Sequence, residues 1–248
     1  MIGVVERLTY IVKEIIDETH DVKTLRIAPE SGKVFDFKPG QFVNLALKIE
    51  EGKPPVARPY SISSSPTDKD YLALTIKIPD REKSFPKKVA KLKPREKVYI
   101  SGPFGVFTFD EQKHKHLVMI AGGVGITPFH SVVRYCTGKK LTNKLNLLYS
   151  NKTHEDVIFH DDFERFQKEN PNFTYVCTLT REDEAAKWKG CTGRIDADMI
   201  NKYGGADLTK AYYMLCGSNG FVKAFKDLLL GMNIPKEQIL YELFGEGV

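Results

Sequence analysis

His116-Leu117-Val118-Met119-Ile120-Ala121-Gly122-Gly123-Val124-Gly125-Ile126-Thr127-Pro128 runs from an apolar strand through a glycine-rich turn into the start of a helix. Gly122, Gly123 and Gly125 let the backbone bend sharply and approach a ligand without Cβ clashes, and Pro128 suits the first turn of the helix that follows. The N–H groups exposed at such a turn, together with the helix dipole, favour a pyrophosphate. The pattern differs from the G-x-G-x-x-G of the dinucleotide fold, so the turn alone points to an anion and to no particular cofactor.

Toward the C-terminus, strand-like and helix-like stretches alternate: TPFHSVVRYC, KLNLLYSN, DVIFHDDFERFQKE, FTYVCTLT, AYYMLCG and NGFVKAFKDLLLGM. That alternation predicts a parallel sheet flanked by helices. Toward the N-terminus the pattern changes to short strands, VERLTYIVKEII, VKTLRIAPE, QFVNLALKI, YLALTIKIP and KVYISG, punctuated by Pro39-Gly40 and Gly102-Pro103. This half reads as a small antiparallel barrel, with Ser84 to Leu92 its one helical candidate. The change falls in the polar stretch Asp110 to Lys115, and two domains are expected, residues 1–112 and 113–248. A chain of 248 residues is long enough for two cores.

Within the first half, Arg58-Pro59-Tyr60-Ser61-Ile62-Ser63-Ser64 places a guanidinium, an aromatic face and a row of hydroxyls in one extended stretch. Arg58 matches a phosphate bidentately, as a lysine does not. Tyr60 can lay its ring against a large planar ligand, and Ser61 and Ser63 add hydroxyls. Two phosphate-bearing ligands in series along one chain suggest electron transfer from a nicotinamide to a flavin.

Composition narrows the alternatives. Apolar content of 42% and charged content of 28% are those of a globular protein, and no apolar run reaches the length of a membrane span. The N-terminal stretch mixes charges with apolar residues and lacks a small-residue cleavage site, so a cytoplasmic location is the expectation. Cys136, Cys177, Cys191 and Cys216 are spaced for neither a disulfide scaffold nor a zinc site, and there is no C-x₄-C-x₂-C run for an iron–sulfur cluster. No metal is expected. The histidines read as solvated positions, among them His114, His116, His154 and His160. A net charge of +5, spread along the chain, argues against nucleic acid. The basic run Lys87 to Lys97 is either a solvated face or a docking patch for an acidic redox protein.

R-x-Y-S-x-x-S, preceded by Pro39-Gly40-Gln41-Phe42 and followed by Gly102-Pro103-Phe104-Gly105 and by G-G-x-G-I-T-P, resembles the ferredoxin–NADP reductase superfamily over nearly the whole chain. The resemblance implies a six-stranded antiparallel β-barrel that holds FAD or FMN, followed by an α/β NAD(P)-binding domain. It implies that Arg58 contacts the flavin phosphate, that Tyr60 packs on the flavin and that Ser61 lies near its N5. Lys77 to Ser84 corresponds to the segment that holds the rest of the cofactor, with Ser84 where the family has a phosphate-binding Ser or Thr. The glycine usual before it is absent, so FAD is favoured and FMN stays open. Gly122, Gly123, Gly125 and Thr127 would receive the coenzyme.

Cys216-Gly217-Ser218-Asn219-Gly220 follows an apolar strand, where the family has Cys-Gly-Pro. Cys216 is either close to the nicotinamide or a small buried apolar residue. Tyr241 to Glu246 resembles the closing segment that brings an acid, Glu242, and a ring, Phe244, to the flavin; Phe244 could equally close the last strand. Ser61, Cys216 and Glu242 are therefore the expected catalytic residues. Asn151-Lys152 and Thr180-Arg181 are the candidates for reading the adenosine end, which leaves NADH and NADPH both open. The implied activity is hydride transfer from NAD(P)H to flavin and onward to a ferredoxin, an oxygenase component, a haem protein or a small molecule. The alternative is an electron-transfer subunit of a larger complex; the family branch of that kind has a C-terminal cysteine cluster, which the sequence lacks.

Overall fold

The computed structural model describes residues 7–82, 84–181 and 188–244; Lys83 of the Lys77–Ser84 segment and Gly245 and Glu246 of the closing segment lie outside them. Residues alternating between inside and outside build the first sheet from β1 (Leu8–Thr19), β2 (Val22–Pro29), β3 (Phe42–Leu47), β4 (Val56–Ser61), β5 (Leu72–Lys77) and β6 (Lys97–Phe104). The order is β4-β3-β6-β1-β2-β5, antiparallel throughout. A bridge between Ile62 and Leu74 joins the chain just beyond β4 to β5 and closes the barrel.

Register shifts at Val12/Glu14 and Asp17/Thr19 bend the long β1 around it. Inside lie Tyr10, Leu25, Ile27, Val43, Leu45, Leu74 and Ile100. Helix α1 (Phe85–Val89) contributes Phe85 and Val89 to the same core. It is shorter than the stretch from Ser84 to Leu92 suggests, because Lys91 and Leu92 turn back onto Lys88 and Val89 in tight i to i−3 bonds.

The second sheet contains β7 (His116–Gly122), β8 (Lys144–Asn151), β9 (Phe173–Leu179), β10 (Cys191–Thr192), β11 (Tyr212–Gly217) and β12 (Ile239–Leu243). Its order is β10-β9-β8-β7-β11-β12, all parallel. Both faces are covered, so β7 is apolar at successive positions: Leu117 and Met119 enter one core, Val118 and Ile120 the other. Helices α2 (Thr127–Gly138), α3 (His160–Glu169), α4 (Ala197–Tyr203) and α5 (Asn219–Gly231) complete the domain. The chain runs outward from β7 and then returns to β11 on its other side, a reversal that opens a ligand crevice at the carboxyl ends of those two strands.

Three features differ from the sequence-based expectation. β10 and α4 carry no strong periodic signal, one having two residues and the other a single buried residue, Ile200. α3 starts four residues later than the apolar run DVIF suggests, because Phe159 is left-handed at φ 61. His114 is 2% exposed, its Nδ1 accepting from the Asp110 N–H, and His116 is half-buried against Asn146 and Gly204; neither is a solvated residue. Val22, Phe107 and Phe109 of the first domain pack into the core of the second, so the two domains share apolar surface.

Candidate functional site

A cavity of about 560 Å³ opens where β4 and β5 of the barrel face the carboxyl ends of β7, β11 and β12. The barrel side offers Tyr60, Ser61, Thr75 and Lys77; the sheet side offers the glycine turn, Gly217 and Ser218, and then Glu242 and Phe244. Tyr60 stacks on Phe85, ring centroids 6.3 Å apart and 23° from parallel, so α1 fixes the plane of the ring. Its hydroxyl is buried and meets no hydrogen-bond partner, a cost that a bound ligand would relieve. Burial pushes the Tyr60 phenol well above its ordinary pKa, so it stays a donor.

Arg58, beside Tyr60, directs Nη1 to the Ala57 carbonyl at 2.8 Å and lies 5.9 Å from the Phe85 ring centre. Among the described residues no carboxylate pairs with it, which leaves its charge for an anion. An orphaned aromatic hydroxyl, an unneutralised guanidinium and an apolar floor of Pro59, Ile76 and Pro86 fit a flavin.

The glycine turn fits a coenzyme by the space it leaves. Gly123 has φ +52, which a residue with a side chain adopts rarely. At Gly125 a Cβ would stand 2.4 Å from the Cys216 carbonyl oxygen, so the turn can press against β11 only as glycine. Tyr149 holds the turn from below, its hydroxyl donating to the Gly123 carbonyl at 3.0 Å. A second cavity of about 200 Å³ shares Lys77 and Gly122 to Val124 and continues past Ser150, Asn151 and Lys152 to Thr180. Lys77 stands between the cavities, paired with Asp21 at 2.7 Å. Arg181 follows at the surface, its N–H bonded to the Lys152 carbonyl.

Ser61 and Glu242 meet across the domain boundary: the serine hydroxyl donates to Glu242 Oε2 at 3.1 Å. Burial pushes the Glu242 carboxyl up to about 7, with the Ser61 hydrogen bond opposing the shift. A carboxyl poised there can hold or release a proton at neutral pH. Cys216, fully buried, has its thiol pushed well above the ordinary value, mainly by burial and then by the Glu242 charge, so it is not a thiolate. The Phe244 N–H binds the Gly217 carbonyl at 2.9 Å, which places its ring on the cavity wall.

Tyr60, Ser61, Lys77, Gly122, Gly123, Gly125, Gly217, Glu242 and Phe244 thus come together around one cavity, with Thr180 in the adjoining one. Six predicted residues line neither cavity: Arg58 stands beside Tyr60 and Arg181 follows Thr180 at the surface, and the other four are engaged elsewhere. Ser63 faces away, donating to the Ala73 carbonyl at 3.0 Å and accepting from Thr75. Thr127 uses its proton inside the turn, on the Val124 carbonyl at 2.7 Å. Ser84 caps α1, and Cys216 supports the turn from behind through its backbone. Thr75, which sequence reasoning passed over, lines the cavity; the signal was a lone hydroxyl in the apolar strand LALTIK. Among the described residues no cluster of three His, Cys, Asp or Glu side chains could hold a metal ion, and no helix is long and apolar enough to cross a membrane.

Two family models match the chain in succession: an oxidoreductase FAD-binding domain over residues 9–109 and an oxidoreductase NAD-binding domain over residues 119–227. The glycine betaine monooxygenase reductase subunit of Chromohalobacter salexigens is 30% identical over 235 residues, covering 94% of this chain and 62% of the relative, so the chain spans under two thirds of that protein's length. The cytochrome b5 reductase domain of Ulva prolifera nitrate reductase superposes with a TM-score of 0.83 at 23% identity, covering 96% of this chain and 97% of that one. A ferredoxin NADP+ reductase from Neisseria gonorrhoeae, solved with bound FAD and NADP, superposes with a TM-score of 0.80 at 22% identity, covering 97% and 99%. At these identities the two structures are likenesses of fold.

Proposed function

The chain belongs to the ferredoxin–NADP reductase superfamily, with an FAD-binding domain followed by an NAD-binding domain, and from that premise we propose that it is a flavoprotein reductase, taking hydride from NAD(P)H and delivering electrons to a separate acceptor. The observation that carries this reading is the Ser61–Glu242 contact of 3.1 Å, which brings the barrel strand and the sheet's switch point to one cavity. When bound, FAD supplies a hydride acceptor that can pass electrons on singly or in pairs.

The residues around it position and protect. Arg58 binds a flavin phosphate as a planar fork, and the Tyr60 hydroxyl finds in the ligand the partner it otherwise lacks. The turn at Gly122 to Gly125 receives the coenzyme pyrophosphate at the start of α2, with Lys77 beside it. Thr180, Arg181 and Lys152 flank the path toward the adenosine, and Gly217 with Ser218 borders the nicotinamide. When Glu242 is protonated and donates to Ser61, the serine can turn its own hydrogen toward the reacting edge, so that Glu242 takes or returns a proton through it. Phe244 keeps water off the ring until the nicotinamide displaces it. Thr127, Cys216, Ser63 and Ser84 support these parts from behind: the first two shape the turn, Ser63 ties β4 to β5, and Ser84 starts the helix that fixes Tyr60. Proteins built this way gain rate mainly by orientation.

The acceptor we propose is an acidic redox protein such as a ferredoxin or an oxygenase component, and the site of action is the cytoplasm. The relative named as a monooxygenase reductase subunit supports an oxygenase component as acceptor, and a groove of about 420 Å³ where Lys48 and Lys88 flank Ile49 and Leu92, beside Glu96 and a Lys97 paired to Glu30, supports an acidic partner. Reduction of an acidic partner should slow as ionic strength rises; a rate indifferent to salt excludes steering by these lysines. The functional reading itself is tested by anaerobic titration of the flavin-loaded protein with NADH and with NADPH. The yellow absorbance should bleach with at least one of them, and a protein that neither retains flavin nor bleaches with either refutes it.

A further inference from the structure

His130 lies near the start of α2, 4% exposed, and both its ring nitrogens face acceptors. Nδ1 is 2.7 Å from the Ser63 carbonyl oxygen and Nε2 is 2.8 Å from Oδ2 of Asp162. A carbonyl has no proton to give, so Nδ1 must carry one. Asp162 also accepts from Arg165 at 2.7 Å. Its carboxyl is held well below the usual range, by the His130 hydrogen bond first and with help from Arg165, so Nε2, like Nδ1, faces an acceptor.

A second observation agrees. The Phe159 ring covers the imidazole at 4.0 Å and 25° from parallel, and Phe163 and Phe166 approach at 5.7 and 5.8 Å. Rings packed on the imidazole from several sides fix its plane. To reach this position Phe159 is left-handed, at φ 61, strained for a bulky residue. The charged and titratable groups that face His130 are Asp161, Asp162, Arg165 and His160 on α3, Arg134 on α2, Glu18 on β1 and Arg26 on β2. Arg26 is paired with Glu14 and Arg134 with Asp68, and Asp162 is the carboxylate that bonds the imidazole.

The bonds of this one helix face cross the domain boundary. Ser131 donates to the Ser64 carbonyl at 2.6 Å, and Arg134 donates to the Tyr71 hydroxyl at 3.0 Å. Residues 63 to 71 lead from the end of β4, with Tyr60 and Ser61, to the start of β5. α2 begins where the glycine turn ends. A single helix thus touches the segment that leaves the strand proposed for the flavin and begins at the turn proposed for the coenzyme.

We propose that His130, with an acceptor facing each ring nitrogen, is a positioning residue that clasps the segment leaving β4 to α2 and so sets the spacing between the flavin and nicotinamide sites. It touches neither ligand itself. The effect on spacing rests on the functional reading above; the clasp rests on the hydrogen bonds alone.

Two measurements test it separately. Nitrogen-detected NMR of the imidazole in the coenzyme-free protein should show both His130 ring nitrogens bonded to hydrogen, and an unprotonated ring nitrogen overturns the clasp whatever the protein catalyses. Single-turnover reduction of the flavin-loaded His130→Ala variant, measured across coenzyme concentration, should show a limiting rate lower by about 10- to 100-fold, since a misplacement of about 1 Å costs that much. Half-saturation should move far less. An unchanged limiting rate, or a loss confined to half-saturation, overturns the positioning role. If the alanine variant does not fold, His130→Asn keeps one donor and should give an intermediate rate; a wild-type rate there counts against the need for two bonds. A wild-type protein that oxidises neither coenzyme would refute the functional reading and leave the NMR result to decide the clasp.

Discussion

The two sides of the cleft prepare for their ligands by opposite means. On β4 the chain presents side chains: a guanidinium without a carboxylate partner, a phenol without an acceptor and a serine hydroxyl. On the turn between β7 and α2 it withholds them, and what matters is bare backbone and the dipole of the helix behind it. The first surface can be weakened in steps, because each group adds its own contact. The second should fail all at once, because a single Cβ collides with backbone that cannot move aside.

The sharpest break in that contrast is Gly125→Ala. Its Cβ would stand 2.4 Å from the Cys216 carbonyl, so we expect a loss of about 3 kcal/mol in stability, read by denaturant unfolding, with coenzyme binding lost as well. A variant of wild-type stability would mean that the turn has slack. On the opposite surface, Arg58→Ala should weaken flavin retention by about 100-fold, the scale of a charged hydrogen-bond pair, while Arg58→Lys recovers part of it. Flavin released on ultrafiltration measures this, and equal retention in all three proteins would remove the guanidinium from the site.

Glu242 belongs to neither surface and sharpens the comparison through pH. Its carboxyl has been pushed up to about 7 from an ordinary 4.5. The protonated form therefore contributes stability that is full below about pH 4.5 and is lost as pH rises through about 7. Glu242→Gln should flatten that slope of melting temperature against pH and remove any step in turnover near pH 7; a variant with the wild-type pH profile refutes the proton role. The smallest effect belongs to Phe244→Ala. A ring that must yield before the nicotinamide enters lowers apparent affinity, so its removal should tighten coenzyme binding about threefold. Unchanged affinity and reduction rate would leave Phe244 as a residue that only closes the last strand.

The same contrast explains what could be read from sequence. Side-chain chemistry is written in residue identity, so Arg58, Tyr60 and Ser61 were legible at once, and the run from His116 to Pro128 announced its strand, turn and helix through apolarity and glycine. The alternation of strands and helices gave the parallel sheet for the same reason. What could not be read was which hydroxyl is already engaged. Thr127 looks like a free donor until the turn folds and Val124 takes its proton. Ser63 sits two residues from Ser61, yet β4 ends at Ser61 and the chain crosses to β5, where Ser63 donates to the Ala73 carbonyl. His130 carried no signal, because a histidine within an amphipathic helix acquires its partners only from loops and helices distant in sequence: Ser63 is 67 residues away and Asp162 is 32. β10 and α4 were missed because neither presents a full apolar face.

The hydrogen bond between Ser61 and Glu242 joins residues 181 positions apart. Contacts of such separation form late, after local structure has settled. The clasp between the two sheets is thus a late event in folding, and either sheet can assemble before the cleft between them reaches its final width.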